Sequence, residues 1–267
     1  MFQKAGFTNK TGVRADQLSS SLYLFEPQQS VIRKKIKEVV VVSFYNTGNF
    51  GDRLGYHLIP KLVPSHANIK FIGLYELAEF KDLNPDLLIL GMGNSIFRDV
   101  MSKELMQLVK RSKKSIGIFG FQYKEEINKE YLNELIDSLD AWYARYEEDI
   151  LIYGKGRKNI FHLGDFLISL FPMATPSKKN DLLNIRGQTS HKLSLDRIIQ
   201  QIQSHSRVHS ERLHPLLCAL TSAEFVSYEE QFYNNDGVGP KSGKFRSLLL
   251  DIFNFHYEEN VVWKVDK

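Results

Sequence analysis

Short β-branched runs alternating with amphipathic helical stretches predict an α/β fold with a mainly parallel sheet, and a break in composition after residue 172 divides that fold into two lobes. The first observation is Val39-Val40-Val41-Val42-Ser43-Phe44, a continuous apolar run of the kind needed by a strand buried on both faces. The second lies directly downstream. An Asn- and Gly-rich turn from Tyr45 to Asp52 leads into Leu54, Leu58 and Leu62 at helical spacing, which predicts a helix over Arg53 to Leu62.

The same strand, loop and helix unit recurs. Strands are predicted at Ile69 to Leu74, at Leu87 to Leu90 ending on Gly91, and at Ser115 to Gly120, with helices over Ser102 to Arg111 and Glu130 to Leu139. A strand pair comes next, through Asp140 to Tyr146 and Asn159 to Leu163, then a helical Phe166 to Phe171. Ligands of such sheets bind beyond the strand C-termini, so the loops after Phe44 and Leu90 are where a site is expected. Pro172 to Asn180 has linker composition, giving an N-terminal domain over 1–172 and a smaller C-terminal α/β domain over 173–267. In the second domain the pattern predicts a strand at Leu182 to Arg186, a helix at Leu193 to Gln203 and a short strand near Val208. Helices at Pro215 to Thr221 and Lys244 to Phe255 complete it.

A chain of 267 residues can bury two such cores, and 43% hydrophobic with 25% charged residues is an ordinary globular balance. The net charge of +4 is spread among interleaved acids and bases, with no basic stripe, which argues against a nucleic-acid partner and mildly suits a small anionic substrate. The single cysteine, Cys218, lies in the apolar run Leu216 to Leu220 and reads as a small buried hydrophobe. Neither an intrachain disulfide nor a cysteine-based zinc cluster is then expected. Met1 to Arg14 carries no leader-like apolar stretch and no segment reaches the roughly 18 residues of a membrane span, so the expected location is the cytoplasm. Arg33-Lys34-Lys35 reads either as a solvated basic stretch or as a peripheral contact with anionic lipid at the inner membrane face.

Two landmarks carry chemistry. Asn46-Thr47-Gly48-Asn49-Phe50-Gly51-Asp52 joins the first strand to the first helix, and Arg212-Leu213-His214 heads the apolar helix from Pro215. The first resembles the G-N-x-G-D turn of polysaccharide pyruvyl transferases, and the second is similar to the R-L-H element of that family's C-terminal half. Between them, Leu90-Gly91-Met92-Gly93 and Gly117 to Gln122 stand where the family has glycine-rich strand ends. Tyr143 to Glu148 resembles its Arg-bearing strand, and Gly164-Asp165 the aspartate ahead of its interdomain linker. The likeness runs over residues 38 to 228 in the right order. It implies two Rossmann-like lobes in a GT-B-like arrangement, here with a shortened C-terminal lobe. The implied activity is transfer of pyruvate from phosphoenolpyruvate, as a ketal, onto a hexose of a bacterial surface polysaccharide or its lipid-linked precursor. Phosphoenolpyruvate is the donor substrate in this reading, with no other cofactor and no metal ligands.

Ketal formation needs C3 of the enol protonated, a sugar hydroxyl activated for attack at C2, and the donor's negative charges held. Arg212 offers a fixed fork to a carboxylate or phosphate, and His214 can carry the proton. Two residues apart on a helix they would diverge, so both can serve one site only if Arg212 precedes the first turn, with Ser210 as the expected N-cap. Leu213 between them is placed with the substrate-binding set. Asp52 reads either as the acceptor that orients the sugar hydroxyl or as a helix N-cap. Gly48, Asn49 and Gly51 read as a turn presenting N–H groups, with turn-filling the alternative for Asn49. Arg145 could neutralise phosphate or pair with Asp165 or Glu147, while Gly91 and Gly93 could line the site or end a strand. Arg207-Val208-His209 mimics the R-x-H pattern but reads as an ordinary strand, and His57 and His162 as packed or surface histidines. Two competing readings stand beside pyruvyl transfer: a GT-B-type nucleotide-sugar glycosyltransferase, and a non-catalytic member of a polysaccharide assembly complex.

Overall fold

The computed structural model describes residues 36–44, 49–93, 96, 100–121, 127–175, 181–187, 193–232 and 236–265. Gly48, the Arg33-Lys34-Lys35 cluster and residues 176–180 of the expected linker lie outside them. The described chain forms two compact units, one of residues 36–44 and 56–164, the other of 49–55 and 165–265.

The first unit is built on β1 (Glu38–Ser43), β2 (Asn68–Gly73), β3 (Leu87–Gly93), β4 (Ser115–Phe119), β5 (Ala141–Ala144) and β6 (Ile160–His162). They form one parallel sheet in the order β2-β1-β3-β4-β5-β6. Strands covered on both faces cannot alternate apolar with polar residues, which is why Val39 to Val42 and Leu88 to Leu90 are apolar throughout and buried. The unit's helices are the later part of α1 (Phe50–Leu62), whose residues up to Gly55 belong to the second unit, with α2 (Lys103–Arg111), α3 (Lys129–Ser138) and α4 (Glu147–Tyr153). In α2, Ser102 caps the first turn by accepting from Leu105 N–H, and Leu105, Met106, Leu108 and Val109 turn one stripe into the core. Asn128 caps α3 in the same way through Tyr131 N–H. Trp142, Phe119, Phe121 and Tyr153 form an aromatic cluster, with Trp142 Nε1 donating to Phe119 O at 3.0 Å.

Strand order reverses at β1, with β2 on one side and β3 to β6 on the other. That is a topological switch point, where an open parallel sheet leaves a crevice beyond its strand C-termini. β1 ends there at Ser43, and β3 ends there on Gly91 and Gly93. Gly91 has φ 103°, and the β3–β4 register slips between Gly91 and Gly93 in a bulge. A side chain at Gly91 would press on Ile118 O and Phe119 Cβ.

The second unit has a four-stranded sheet, β7 (Leu182–Ile185), β8 (Arg207–Ser210), β9 (Phe225–Tyr228) and β10 (Trp263–Lys264), in the order β10-β9-β8-β7. β7, β8 and β9 run parallel, and β10 pairs antiparallel with β9. They are linked by α5 (Leu195–Gln203) and α6 (Leu213–Ala219), and α7 (Lys244–Phe253) comes after β9. A 3₁₀ turn over Phe166–Leu170 opens the unit. Cys218 is fully buried, and burial pushes its thiol pKa up, as suits an inert apolar filler.

Most predicted elements stand within two or three residues of their expected limits. Two strands have no legible sequence signal: β9 is four residues with a serine inside, and β10 is two residues long, so neither gives a period to count. The last helix ends at Phe253, not Phe255, because Asn254 takes a left-handed conformation with φ 54°. The Asp140 to Tyr146 strand spans only Ala141 to Ala144, and Arg145 comes just after it.

Glu230 starts α7. Its carboxylate accepts from the N–H groups of Phe245 and Arg246 and from Ser242 Oγ, satisfying donors that the first helical turn leaves open. Burial raises its pKa above the usual carboxylate range, against the lowering effect of those donors and of Lys244. A carboxyl that holds its proton more tightly in the folded state contributes most below the unfolded pKa, about 4.3 for Glu. That contribution declines as pH rises through the raised folded value and is level above it. Urea unfolding of Glu230→Gln between pH 4 and 8 is therefore expected to lack this decline; identical pH profiles for variant and parent would contradict it.

Candidate functional site

The first helix begins three residues earlier than its apolar spacing suggests. Asn49 is its N-cap: its carbonyl accepts Arg53 N–H at 3.0 Å, and its side chain Oδ1 accepts Gly51 N–H at 2.9 Å. This corrects two expectations. Asp52 is the third residue of the helix and not its cap, in a first turn where a carboxylate suits the helix dipole. The Gly51 N–H is taken by Asn49 and is not presented to a ligand.

Gly51 matters for what it lacks. A Cβ there would collide with His214 Nδ1 and fall 2.5 Å from Cε1 and 3.0 Å from Cγ, so the ring lies flush against the backbone of the first helical turn, Nδ1 foremost. On the other side His214 Nε2 stands 3.1 Å from Asp165 Oδ2. Asp165 is buried, and its Oδ1 accepts Leu167 N–H at 3.1 Å, capping the 3₁₀ turn. One carboxylate thus fixes both the turn and the imidazole. The ring is held at Nε2 by Asp165, while Nδ1 is its atom nearest Gly51. Gly51, Asp165 and His214 all belong to the second unit.

Arg212 occupies the N-cap position of α6 in extended conformation, with φ −125° and ψ 127°, and its carbonyl accepts Leu216 N–H. Ser210, expected as the cap, is instead the last residue of β8. Its hydroxyl accepts Arg212 N–H and donates to Arg212 O, holding the bend between strand and helix. Because Arg212 precedes the helix, helical spacing does not force it away from His214. Its Nε donates to Gly187 O at 2.9 Å, at a glycine with φ 66°. Leu213 is buried and anchors the first turn, while Pro215 sits where a missing N–H costs nothing.

In the first unit Gly93 and Arg145 are brought together: a Cβ on Gly93 would lie 3.7 Å from an Arg145 guanidinium nitrogen. Arg145 is buried just past β5, with its guanidinium 5.8 Å from the Tyr146 ring centre. Gly91 forms the bulge beside Gly93.

Two functional candidates have no local sequence signal. Asp165 enters the sequence pattern only as the family's pre-linker aspartate and as a salt-bridge option for Arg145; a lone Asp before an apolar run carries no sign of a distant histidine. Arg53 donates from Nη2 to Leu193 O at 2.7 Å, while its buried Nη1 meets no partner among the described residues. Such a nitrogen in the helical turn that carries Gly51 suits an anion. Among the described residues His209, Glu211 and Glu229 are grouped closely enough to share a metal ion, on the second sheet.

A scan of the chain against models of protein families finds no match, and a search of characterised proteins returns none. Fold and site define a mixed α/β protein with a six-stranded, Rossmann-like parallel sheet and a buried Asp–His pair in its second unit. Among the described residues no helix is long and apolar enough to cross a membrane.

Gly51→Ala separates steric need from helix propensity. In an ordinary helical turn the change would stabilise by about 0.5–1 kcal/mol. Here the new methyl meets a ring already tied to Asp165, and a loss of about 1–3 kcal/mol is expected in chemical denaturation. A stabilised variant would show that the ring is free to move aside.

Proposed function

We propose that the chain is a pyruvyl transferase that moves the pyruvate unit of phosphoenolpyruvate onto a hexose of a surface polysaccharide or its lipid-linked precursor. In this reading its two units are the lobes of a GT-B-like enzyme working in the cytoplasm at the inner membrane face. One observation carries the proposal. Residues 49–52 of the G-N-F-G-D segment and the R-L-H segment, about 160 residues apart in sequence, belong to one unit and meet where His214 packs on Gly51.

The chemistry assigned to these groups rests on their geometry. Arg212, before the first turn of its helix, takes the donor's carboxylate or phosphate, and Arg53 Nη1, without a partner among the described residues, adds a second positive contact. His214, held in place by Asp165, gives a proton to C3 as the oxygen of one sugar hydroxyl bonds to C2. Phosphate then leaves with the C2–O bond electrons, and the second sugar hydroxyl closes the ketal on C2. One hydroxyl proton replaces the proton given to C3, and the other leaves with phosphate. Asp52 is assigned to orienting the attacking hydroxyl and Arg145 to the phosphate.

Incubation of the pure protein with phosphoenolpyruvate and a panel of hexose acceptors is expected to release inorganic phosphate and leave a ketal on the sugar. His214→Ala should lower kcat by about 10²–10⁴-fold. Arg212→Lys should chiefly raise KM, because an ammonium cannot reproduce the planar fork. Release of UDP from UDP-sugars instead of phosphate would replace the proposal with glycosyl transfer. No turnover of either donor, together with no thermal shift by phosphoenolpyruvate, would reject catalysis.

A further inference from the structure

The second sheet has an outer face with its own arrangement of ligating groups. Along β7, β8 and β9 the residues Val208, Ile185, Val226 and Tyr228 are buried on one side. The other side presents Asn184, His209 and Ser227 as one cross-strand row, set by the pairings Asn184↔His209 and His209↔Ser227. One step further along the same face come Arg186, Glu211 and Glu229, at the C-terminal ends of the strands. This face forms a groove of about 270 Å³ whose lining includes Arg186, His209, Ser227 and Glu229.

We infer that His209, Glu211 and Glu229 form a binding site for a divalent first-row transition ion. Their ligand atoms lie within 4.8 Å of one another. Ligands about 2.0–2.2 Å from an ion such as Zn²⁺ stand up to about 4.4 Å apart, so small rotations bring all three onto one centre. Two further features point to a cation. Ser227, 5% exposed, bonds His209 Nδ1 through its hydroxyl at 2.9 Å, which fixes the ring and leaves Nε2 as the ligand nitrogen. An imidazole held at its far nitrogen is the usual second support of a metal-bound histidine. The register ends at Ser210↔Tyr228, so Glu211 and Glu229 follow side by side just past two adjacent strands, their carboxylates within 4.8 Å, a like-charge pairing that is unfavourable unless a positive charge joins it. Arg186 compensates only in part, its Nε 3.4 Å from Glu211 Oε1 on a largely exposed side chain. Arg207, on the same face, adds a positive charge beside the His209 row but no ligand atom.

One imidazole nitrogen with two carboxylates suits Mn²⁺, Fe²⁺, Co²⁺ or Zn²⁺, whereas Mg²⁺ and Ca²⁺ favour all-oxygen shells. The site is separate from the Asp165–His214 pair and does not depend on the activity proposed for it.

The test uses the full chain stripped with chelator and titrated with MnCl₂, then with ZnCl₂, monitoring heat and, for Mn²⁺, loss of the free-ion EPR signal. One saturable site is expected, with His209→Ala and Glu229→Gln each weakening it by at least about tenfold, and Ser227→Ala by about tenfold through loss of ring support. His57→Ala, which removes a histidine outside the cluster, should leave binding unchanged. Glu229→Gln keeps shape at a half-buried position, so it reports on binding even where His209→Ala unfolds the sheet. The inference is overturned by no saturable uptake of either ion, or by Glu229→Gln binding as tightly as the parent chain.

Discussion

The contact of His214 with Asp165 on one side and Gly51 on the other organises the second unit. Asp165 is a buried carboxylate, and a buried charge is tolerated only when its oxygens are satisfied; Leu167 N–H and His214 Nε2 do this. The same contact holds the imidazole at Nε2, ties the 3₁₀ turn to α6, and makes glycine the residue that fits at position 51. Removing one partner of such a pair leaves the other uncompensated, at roughly 3–5 kcal/mol for a fully buried ion pair.

The approach of the first helix to His214 depends on local chemistry at its start. Asn49 consumes the Gly51 N–H that a reading of the turn would offer to a ligand, and so starts the helix at Phe50. Phe50 then stacks on Phe171 at 5.9 Å between ring centres, which fastens that first turn within the second unit. A helix begun at Arg53 would leave Phe50 and Gly51 in a loop, with no fixed surface for the imidazole.

The two sheets use their edges differently. In the first, strand reversal at β1 places the ends of β1 and β3 at the switch point, and the Gly91 bulge adds a local change of direction. In the second, β7 to β9 run parallel without reversal. Its distinctive chemistry lies on the outer face, where period-two alternation sorts Asn184, His209, Ser227 and the two glutamates away from the apolar side. His209 illustrates the point: as part of an R-x-H triplet it reads as an ordinary strand, and it is one, yet its strand partner Ser227 gives it a defined ring orientation.

Much of the architecture was legible because buried parallel strands and amphipathic helices write themselves as apolar runs and periods. Val39 to Val42, the Leu105 to Val109 stripe and the β7-α5-β8-α6 alternation all stand close to where the pattern puts them. Arg212 and His214 could be named as candidates from residue type and neighbourhood. Their partners could not: Asp165 meets His214 across 49 positions and Gly51 meets it across more than 160, and no local period encodes a contact of that separation. Nor could Ser210 be told from a cap, since its hydroxyl serves a strand-to-helix bend whose geometry exists only once β8 is paired. The sequence by itself determined which segments become strands and helices, because that depends on burial patterns a few residues long. Only tertiary structure decided which nitrogen of His214 is held, which glycine is sterically required and which carboxylates stand side by side, because each is a distance between atoms that the chain brings together by folding.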